Sequence, residues 1–289
     1  MQRIDLHTHS AVSDGTDTPR QLMEQAAAAG LDAIALTDHD TVAGWAEAKR
    51  ASDDTGVALI PGIEVSTRHQ GRSVHMLALL VDPAPSTQLA QTLEAMRTSR
   101  LERARAMVAA IGADHPLTWS DVESVARDRG AAPASVGRPH IADALIRRGA
   151  VRDRTEAFAG ILAPHSGYYV PYRTFSTADA IQQIHAAGGV AIAAHVLSAS
   201  RRRDEVSEDF LDTLIDAGVD GFEVHHREHS PDQQTRLLDI VTAHGLIATG
   251  GSDYHGTGKP NRLGENLTAP ESLDAITHRA AGPTGVHQP

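Results

Sequence analysis

The chain has 289 residues, no cysteine and a formal net charge of -11, with 41% hydrophobic but only 3% aromatic residues. Lack of cysteine removes disulfides, thiolate zinc sites and cysteine nucleophiles. The acidic balance argues against a loose grip on a nucleic-acid backbone, so stable DNA binding is not expected; one phosphorylated ligand at a local cationic site remains compatible with it. No stretch approaches 18 uninterrupted apolar residues and no basic, apolar leader opens the chain, so no membrane span or export signal is expected and the cytoplasm is the default location.

Arg3-Ile4-Asp5-Leu6 reads as the first strand, and His7-Thr8-His9 stands at its C-terminal end with Asp14 five residues past His9. Side chains two apart on a strand share a face, so the two imidazoles converge and can close on one ion. Imidazole beside carboxylate suits Zn, Fe or Mn. Taken alone the pair is a weak signal in a chain with 17 histidines. Thr18-Pro19-Arg20-Gln21 combines an N-cap, a proline at the first helical position and a capping-box glutamine, and Gly30 ends that helix. Ala33 to Thr37 is the next strand, leading into Asp38-His39-Asp40, and a helix over about Val42 to Asp54 closes at Gly56. Val57 to Ser66, carrying Glu64, and Ser73 to Val81, carrying His75, are two further strands joined by the polar turn Arg68 to Arg72.

After Pro83 and Pro85 only helical periodicity remains: Gln88 to Ile111, Trp119 to Arg129, Pro139 to Arg148 and Thr155 to Leu162. An all-helical block of this length inside a strand–helix alternation reads as an insertion. Eleven arginines lie between Arg97 and Arg154. Alternation resumes at Tyr168, with a helix near Thr177 to Ala187, the strand Val190 to His195, a helix at about Ser207 to Ala217 and the strand Gly221 to His225. Ser230-Pro231-Asp232-Gln233 repeats the capping arrangement of Thr18, and Leu246 to Gly250 is the last clear strand, followed by Gly251-Ser252-Asp253-Tyr254-His255. Repeated strand–helix units suggest a closed or nearly closed parallel barrel.

In such folds site residues gather at the C-terminal ends of strands. His7, His9, His39, Glu64, His195, Asp253 and His255 fall there or just beyond, and His75 inside an apolar strand. One histidine on an apolar strand is ordinarily a hydrogen-bonded core residue. Six histidines with three carboxylates, all at strand ends, point instead to a metal centre. Of the other histidines, His140 follows Gly137-Arg138-Pro139 at a helix start, where backbone N–H groups and an arginine make a ready phosphate site. One of His225 and His226 is expected to face the pocket, with Lys259 a further candidate after the last ligand. Arg173 and Arg201-Arg202-Arg203 read as solvated loops within reach of a ligand. His69, His115, His165, His185, His229, His244, His278 and His287 read as solvated.

These motifs resemble the polymerase and histidinol phosphatase (PHP) family of metal-dependent phosphoesterases. Asp5-Leu6-His7-Thr8-His9-Ser10 with Ser13-Asp14-Gly15 matches its first motif and Ala35-Leu36-Thr37-Asp38-His39-Asp40 its second. Pro61-Gly62-Ile63-Glu64 with Val74-His75 matches the third and Gly251-Ser252-Asp253-Tyr254-His255-Gly256 the last, while Ala193-Ala194-His195 supplies the remaining histidine. The likeness covers about residues 1–85 and 168–267. It implies a distorted (β/α)7-type TIM-like barrel in two parts, 1–85 and 168–289, with residues 86–167 as an inserted all-helical cap.

The resemblance also implies three divalent ions, Mn, Fe or Zn. His7, His9, Glu64 and Asp253 would hold the first; Asp14, His39 and His255 a neighbour; His75 and His195 the third, with Glu64 bridging. The nucleophile would be a metal-activated hydroxide attacking phosphorus in line, supported by Asp253 and His255. Asp38 or Asp40 would orient ligand imidazoles from behind. The insertion-bearing members act on nucleotides, removing the 3'-phosphate of a nucleoside 3',5'-bisphosphate or trimming short 5'-phosphorylated RNA. Arg138, His140, Lys259 and His226 would then contact the substrate, in a monomer or small homo-oligomer. Histidinol phosphate phosphatase is the alternative within the family, but its cationic substrate suits an arginine-bearing cap poorly. An amidohydrolase barrel would want a bridging lysine at mid-chain, where neither Lys49 nor Lys259 lies. A non-catalytic metal-binding module would be marked by lost ligands, and none is lost.

Overall fold

The computed structural model describes residues 1–128, 136–171, 175–198 and 208–289. Its strands are β1 (Ile4–Thr8), β2 (Ala33–Leu36), β3 (Ala58–His69), β4 (Arg72–Leu79), β5 (Phe175–Ser176), β6 (Val190–Ala194), β7 (Gly221–His225) and β8 (Ile247–Gly250). The strand order is β1-β2-β3-β4-β6-β7-β8, with short β5 paired to β3. Beyond β8 the chain lies against β1: Asp253 N–H donates to the His7 carbonyl and His9 N–H to the Tyr254 carbonyl, both at 2.9 Å. These bonds draw the sheet into a nearly closed seven-stranded barrel.

The barrel is not wholly parallel. β4 runs antiparallel to both β3 and β6. The cause is local: Gln70 (φ 46) and Gly71 (φ 80) form a tight turn with two left-handed residues, the geometry that joins adjacent antiparallel strands. His75, near the start of β4, is thereby level with Ser66 and Ala194, at the end of the barrel where the parallel strands finish.

Strand alternation sorts the core into layers. Ile4, Ala33, Ala58, Leu79, Val190 and Ile247 share the inner face and pack with Leu273 and Ile276 of α10 (Pro270–Arg279). Ile34 and Leu59 face outward against α1 (Pro19–Ala28) and α2 (Trp45–Thr55). Phe222 and Val224 face outward in the layer covered by α7 (Thr177–Ala186), α8 (Glu208–Asp216) and α9 (Pro231–His244). The capping boxes at Thr18 and Ser230 form as the sequence predicts, each contributing about 1 kcal/mol of helix stability.

Between β4 and β5 stand α3 (Gln88–Ile111), α4 (Trp119–Asp128), α5 (Arg138–Arg147) and α6 (Arg154–Ala159). They have their own apolar core, including Met107, Ile111, Val122, Ile141, Leu145 and Leu162. α3 belongs to both regions, because Leu89 and Leu93 at its start pack into the outer barrel layer. No helix among the described residues is long and apolar enough to cross a membrane.

Candidate metal centre

The hub is Glu64, fully buried on β3. Its Oε1 lies 2.6 Å from His75 Nδ1 and 2.9 Å from His195 Nε2. Its Oε2 faces His9 Nε2 at 3.0 Å, His7 Nε2 at 3.3 Å and His39 Nδ1 at 3.3 Å. Asp253 Oδ1 closes on the same two imidazoles, 3.5 Å from His7 and 3.3 Å from His9. Asp14 reaches His255 at 3.2 Å and both His9 and His39 at 3.8 Å. All nine ligand candidates named from the sequence are thus drawn together. By proximity they divide into overlapping sets: His7, His9, Glu64 and Asp253; His9, Asp14, His39 and His255; His39, Glu64 and His75; and His7 and His195 with Glu223.

The chain bends sharply to aim these groups. Asp40 (φ 54), His195 (φ 33) and Asp253 (φ 52) adopt left-handed backbone at strand ends, a strain that surrounding bonds must hold. At Gly251 a Cβ would lie 2.3 Å from His7 Cβ and 2.6 Å from Glu223 Oε1, so only glycine lets this loop pass behind the ligands.

Glu223 escaped the sequence reading. It is fully buried; its Oε1 accepts from His7 Nδ1 at 2.9 Å and its Oε2 from the His195 N–H at 2.8 Å. With Nδ1 bonded to Glu223, His7 turns Nε2 toward Glu64 and Asp253, the atom it would offer an ion once the proton these carboxylates favour is displaced. Its signal lay in the alternation of Gly221-Phe222-Glu223-Val224: with Phe222 and Val224 outward, the glutamate must point into the barrel. His255 is set the same way, its Nδ1 2.8 Å from the Asp253 carbonyl.

Neither the Asp38 nor the Asp40 carboxylate bonds an imidazole. Asp38 accepts from Ser10 N–H, Ser10 Oγ and Ser13 Oγ, and Asp40 from Ser66 N–H and Arg100. Serines of the loop after β1 reach Asp38 first, and Ser66 of β3 and Arg100 of α3 reach Asp40. Of the histidine pair, His226 is buried, 3.9 Å from Asp253 Oδ2, whereas His225 is half-buried beside Gln234. His229 is buried rather than solvated, with its ring between Leu197 N–H and the Val224 carbonyl. Lys259 Nζ lies 2.8 Å from Asp253 Oδ2. Arg173, Arg201, Arg202 and Arg203 lie outside the described residues.

The electrostatics fit a cation. Burial alone would push the Glu64 carboxyl up, but His39, His75 and His7 outweigh it and hold it well below the usual carboxylate range. Half-buried Asp14 and buried Asp253 are held well below it too, by His255 and His39 around the first and by Lys259 and His255 around the second. Burial dominates at His39, pushed down to about 4, and lowers His255. At His9 Asp253 and Glu64 overcome burial and raise the imidazole to about 9. The carboxylates are thus ionised, and His39 and His255 are pushed toward the neutral, ligating form. Against burial, Glu223, Glu64 and Asp253 raise His7 as Asp253 and Glu64 raise His9, and a divalent ion would displace the protons these two hold. His9 Nδ1, His39 Nδ1, Glu64 Oε2 and His255 Nε2 are buried without a hydrogen-bond partner, a costly state that coordination would relieve.

A cavity of about 170 Å³ opens above Asp14, His39 and His75. Its opposite wall comes from α3 and α5: Arg100, Arg103, Arg138 and His140. His140 accepts the Gly137 N–H at 3.2 Å. Arg138 lies over the Phe158 ring at 5.2 Å and bonds the Leu162 carbonyl at 3.3 Å.

A nearly closed barrel with histidines and carboxylates converging at its strand ends defines a metal-dependent hydrolase, and the comparisons narrow the class. Residues 5–107 match the PHP domain model. The chain is 36% identical to a 3',5'-nucleoside bisphosphate phosphatase from Chromobacterium violaceum, over 91% of this chain and 90% of that one. It is 33% identical to a 5'-3' exoribonuclease from Haemophilus influenzae, over 94% and 97%. A crystal structure from Bifidobacterium adolescentis, described as a metal-dependent phosphoesterase, superposes with a TM-score of 0.90 at 43% identity over 98% of both chains. The chain belongs to the PHP family, and it is a metal-dependent hydrolase of phosphoric esters.

Proposed function

We propose that this phosphoesterase acts on a small phosphorylated nucleotide, removing the 3'-phosphate of a nucleoside 3',5'-bisphosphate or trimming short 5'-phosphorylated RNA. The observation that carries the reading is the two-sided cavity. Its floor is built of candidate ligands and its roof of arginines and His140, so one space offers a seat for a reacting phosphoryl group and another for a second anion. The relatives named for bisphosphates and RNA support it.

Three divalent ions, Mn, Fe or Zn, would be held by His7, His9, Glu64 and Asp253; by Asp14, His39 and His255; and by His75 and His195 with Glu64 shared. When bound they would supply Lewis acidity toward phosphoryl oxygens and an acidified water. The chain's own groups do the rest. Arg138 and His140 bind the distal phosphate and fix its distance from the floor. Lys259, 2.8 Å from Asp253 Oδ2, orients that carboxylate and brings positive charge toward the substrate, and His226, 3.9 Å from the same oxygen, offers a neutral imidazole beside it.

The test is phosphate release from adenosine 3',5'-bisphosphate, histidinol phosphate and a 5'-phosphorylated RNA oligomer. Exhaustive chelation is expected to abolish activity and Mn²⁺ to restore it. Preference for histidinol phosphate would overturn the substrate assignment; activity surviving verified metal removal would overturn the site.

A further inference from the structure

We propose that Arg100, on the insertion helix α3, is a positioning residue for the metal centre: it holds His39 in place by clamping the adjoining Asp40 to Ser66. This rests on the reading of His39 as a ligand. Asp40 follows His39 directly and sits in left-handed backbone, a conformation less favourable than the usual ones and held here by its neighbours. Four bonds do so. Asp40 N–H donates to the Glu64 carbonyl at 3.1 Å, and its Oδ1 accepts the Ser66 N–H at 2.7 Å. Its Oδ2 takes one guanidinium nitrogen of Arg100, the same nitrogen reaching Ser66 Oγ at 3.2 Å. Its carbonyl takes a guanidinium nitrogen of Arg97, one helical turn earlier.

The first two bonds belong to the barrel; the last two are supplied only by the insertion. Asp40 is fully buried, so its carboxylate needs a cationic partner, and Arg100 is the cation that reaches it. His39 Nδ1 makes no hydrogen bond, and the ring rests 3.3 Å from Glu64 Oε2 and against the His9 and His75 rings, so its aim depends on the backbone that carries it. The helix that roofs the cavity therefore also sets one edge of its floor.

The sign of the effect separates positioning from plain electrostatics. Arg100 lines the cavity beside His39. Removing a positive charge there should strengthen binding of a cation if charge alone mattered. Positioning predicts the opposite.

The experiment is titration of the metal-stripped full-length protein with Mn²⁺, followed by calorimetry and by the electron paramagnetic resonance of bound Mn²⁺, with circular dichroism to verify folding. Arg100→Ala is expected to weaken the ion that needs His39 by about tenfold or more, the range for a partner behind a ligand. Arg100→Lys, which keeps the charge, should recover only part of it. His39→Ala should lose that ion altogether, and Arg105→Ala, whose guanidinium stacks on Trp119, should change nothing. Unchanged or tighter Mn²⁺ binding in folded Arg100→Ala, with His39→Ala impaired, would overturn the positioning role. If His39→Ala itself bound all its Mn²⁺ normally, the ligand assignment would fall instead. Should Arg100→Ala not fold, Arg100→Lys with Mn²⁺ affinity equal to wild type would overturn the proposal equally.

Discussion

The barrel rim and the helical insertion face one cavity but are built on different rules. The rim presents short side chains, histidine, aspartate and glutamate, on strand ends fixed by the sheet; most are buried and locked to one another. The insertion presents arginines, whose long stems let guanidinium groups reach across from helices with a separate core. Placement of a metal ligand tolerates little error, whereas capture of an anion by a flexible, always charged group tolerates more. Chemistry is therefore expected to depend on the rim, with Arg100 of α3 supporting it, and selectivity on Arg138 and His140.

The sharpest way to break that division is at the rim. Asp253→Ala should lower turnover by more than about a hundredfold on any phosphoester, beyond the loss typical of groups behind a ligand, and reduce bound metal measured by elemental analysis. A variant that kept its metal and lost only affinity for nucleotides would merge the two roles. Next in size is Glu223→Gln, which keeps the shape but weakens the hold on His7; metal affinity should fall by roughly 10–100-fold while far-ultraviolet circular dichroism is unchanged.

On the insertion side, Arg138→Ala should raise KM for a bisphosphate by about tenfold or more, since a charge-assisted hydrogen bond contributes roughly 1.5–3 kcal/mol. A simple monoester such as p-nitrophenyl phosphate should be hydrolysed almost as before. Equal losses on both substrates would put Arg138 in the service of the metal centre.

The smallest effect is expected far from the cavity. His185 Nε2 lies 2.7 Å from Asp220, which raises its pKa above the ordinary 6.5 against the pull of burial. A raised histidine stabilises the fold fully below its unfolded pKa and loses that contribution as pH climbs through the folded value. The Tm difference between wild type and His185→Gln should be greatest below pH 6.5 and shrink above it. The pair is partly exposed, so the difference should be small.

How much of this was legible in the sequence follows from which interactions are local. The His7 and His9 pair, the capping boxes and the helices of the insertion were readable because strand and helix periodicity and cap chemistry act over a few residues. The direction of β4 was not read, although Gln70-Gly71 held the clue. Glu223 and the partners of Asp40 were hidden because their meaning depends on residues such as His7, Ser66 and Arg100, brought close only by the closed sheet. His229 looked like any loop histidine until Leu197 and Val224 folded around it.

The reversed strand also governs the architecture above it. Because β4 runs backward, the chain leaves it at the floor of the barrel, at Leu79 opposite Val190, and not at the rim. A route back to the rim is then needed, and α3, with 24 residues and about 36 Å of rise, supplies it. It starts beside the floor on Leu89 and Leu93 and carries Arg97 and Arg100 to the level of Asp40. The helix thus works as a mast of fixed height: inserting a single turn below Arg97 would lift the arginine rigging by about 5.4 Å relative to the histidines without replacing any residue of either region.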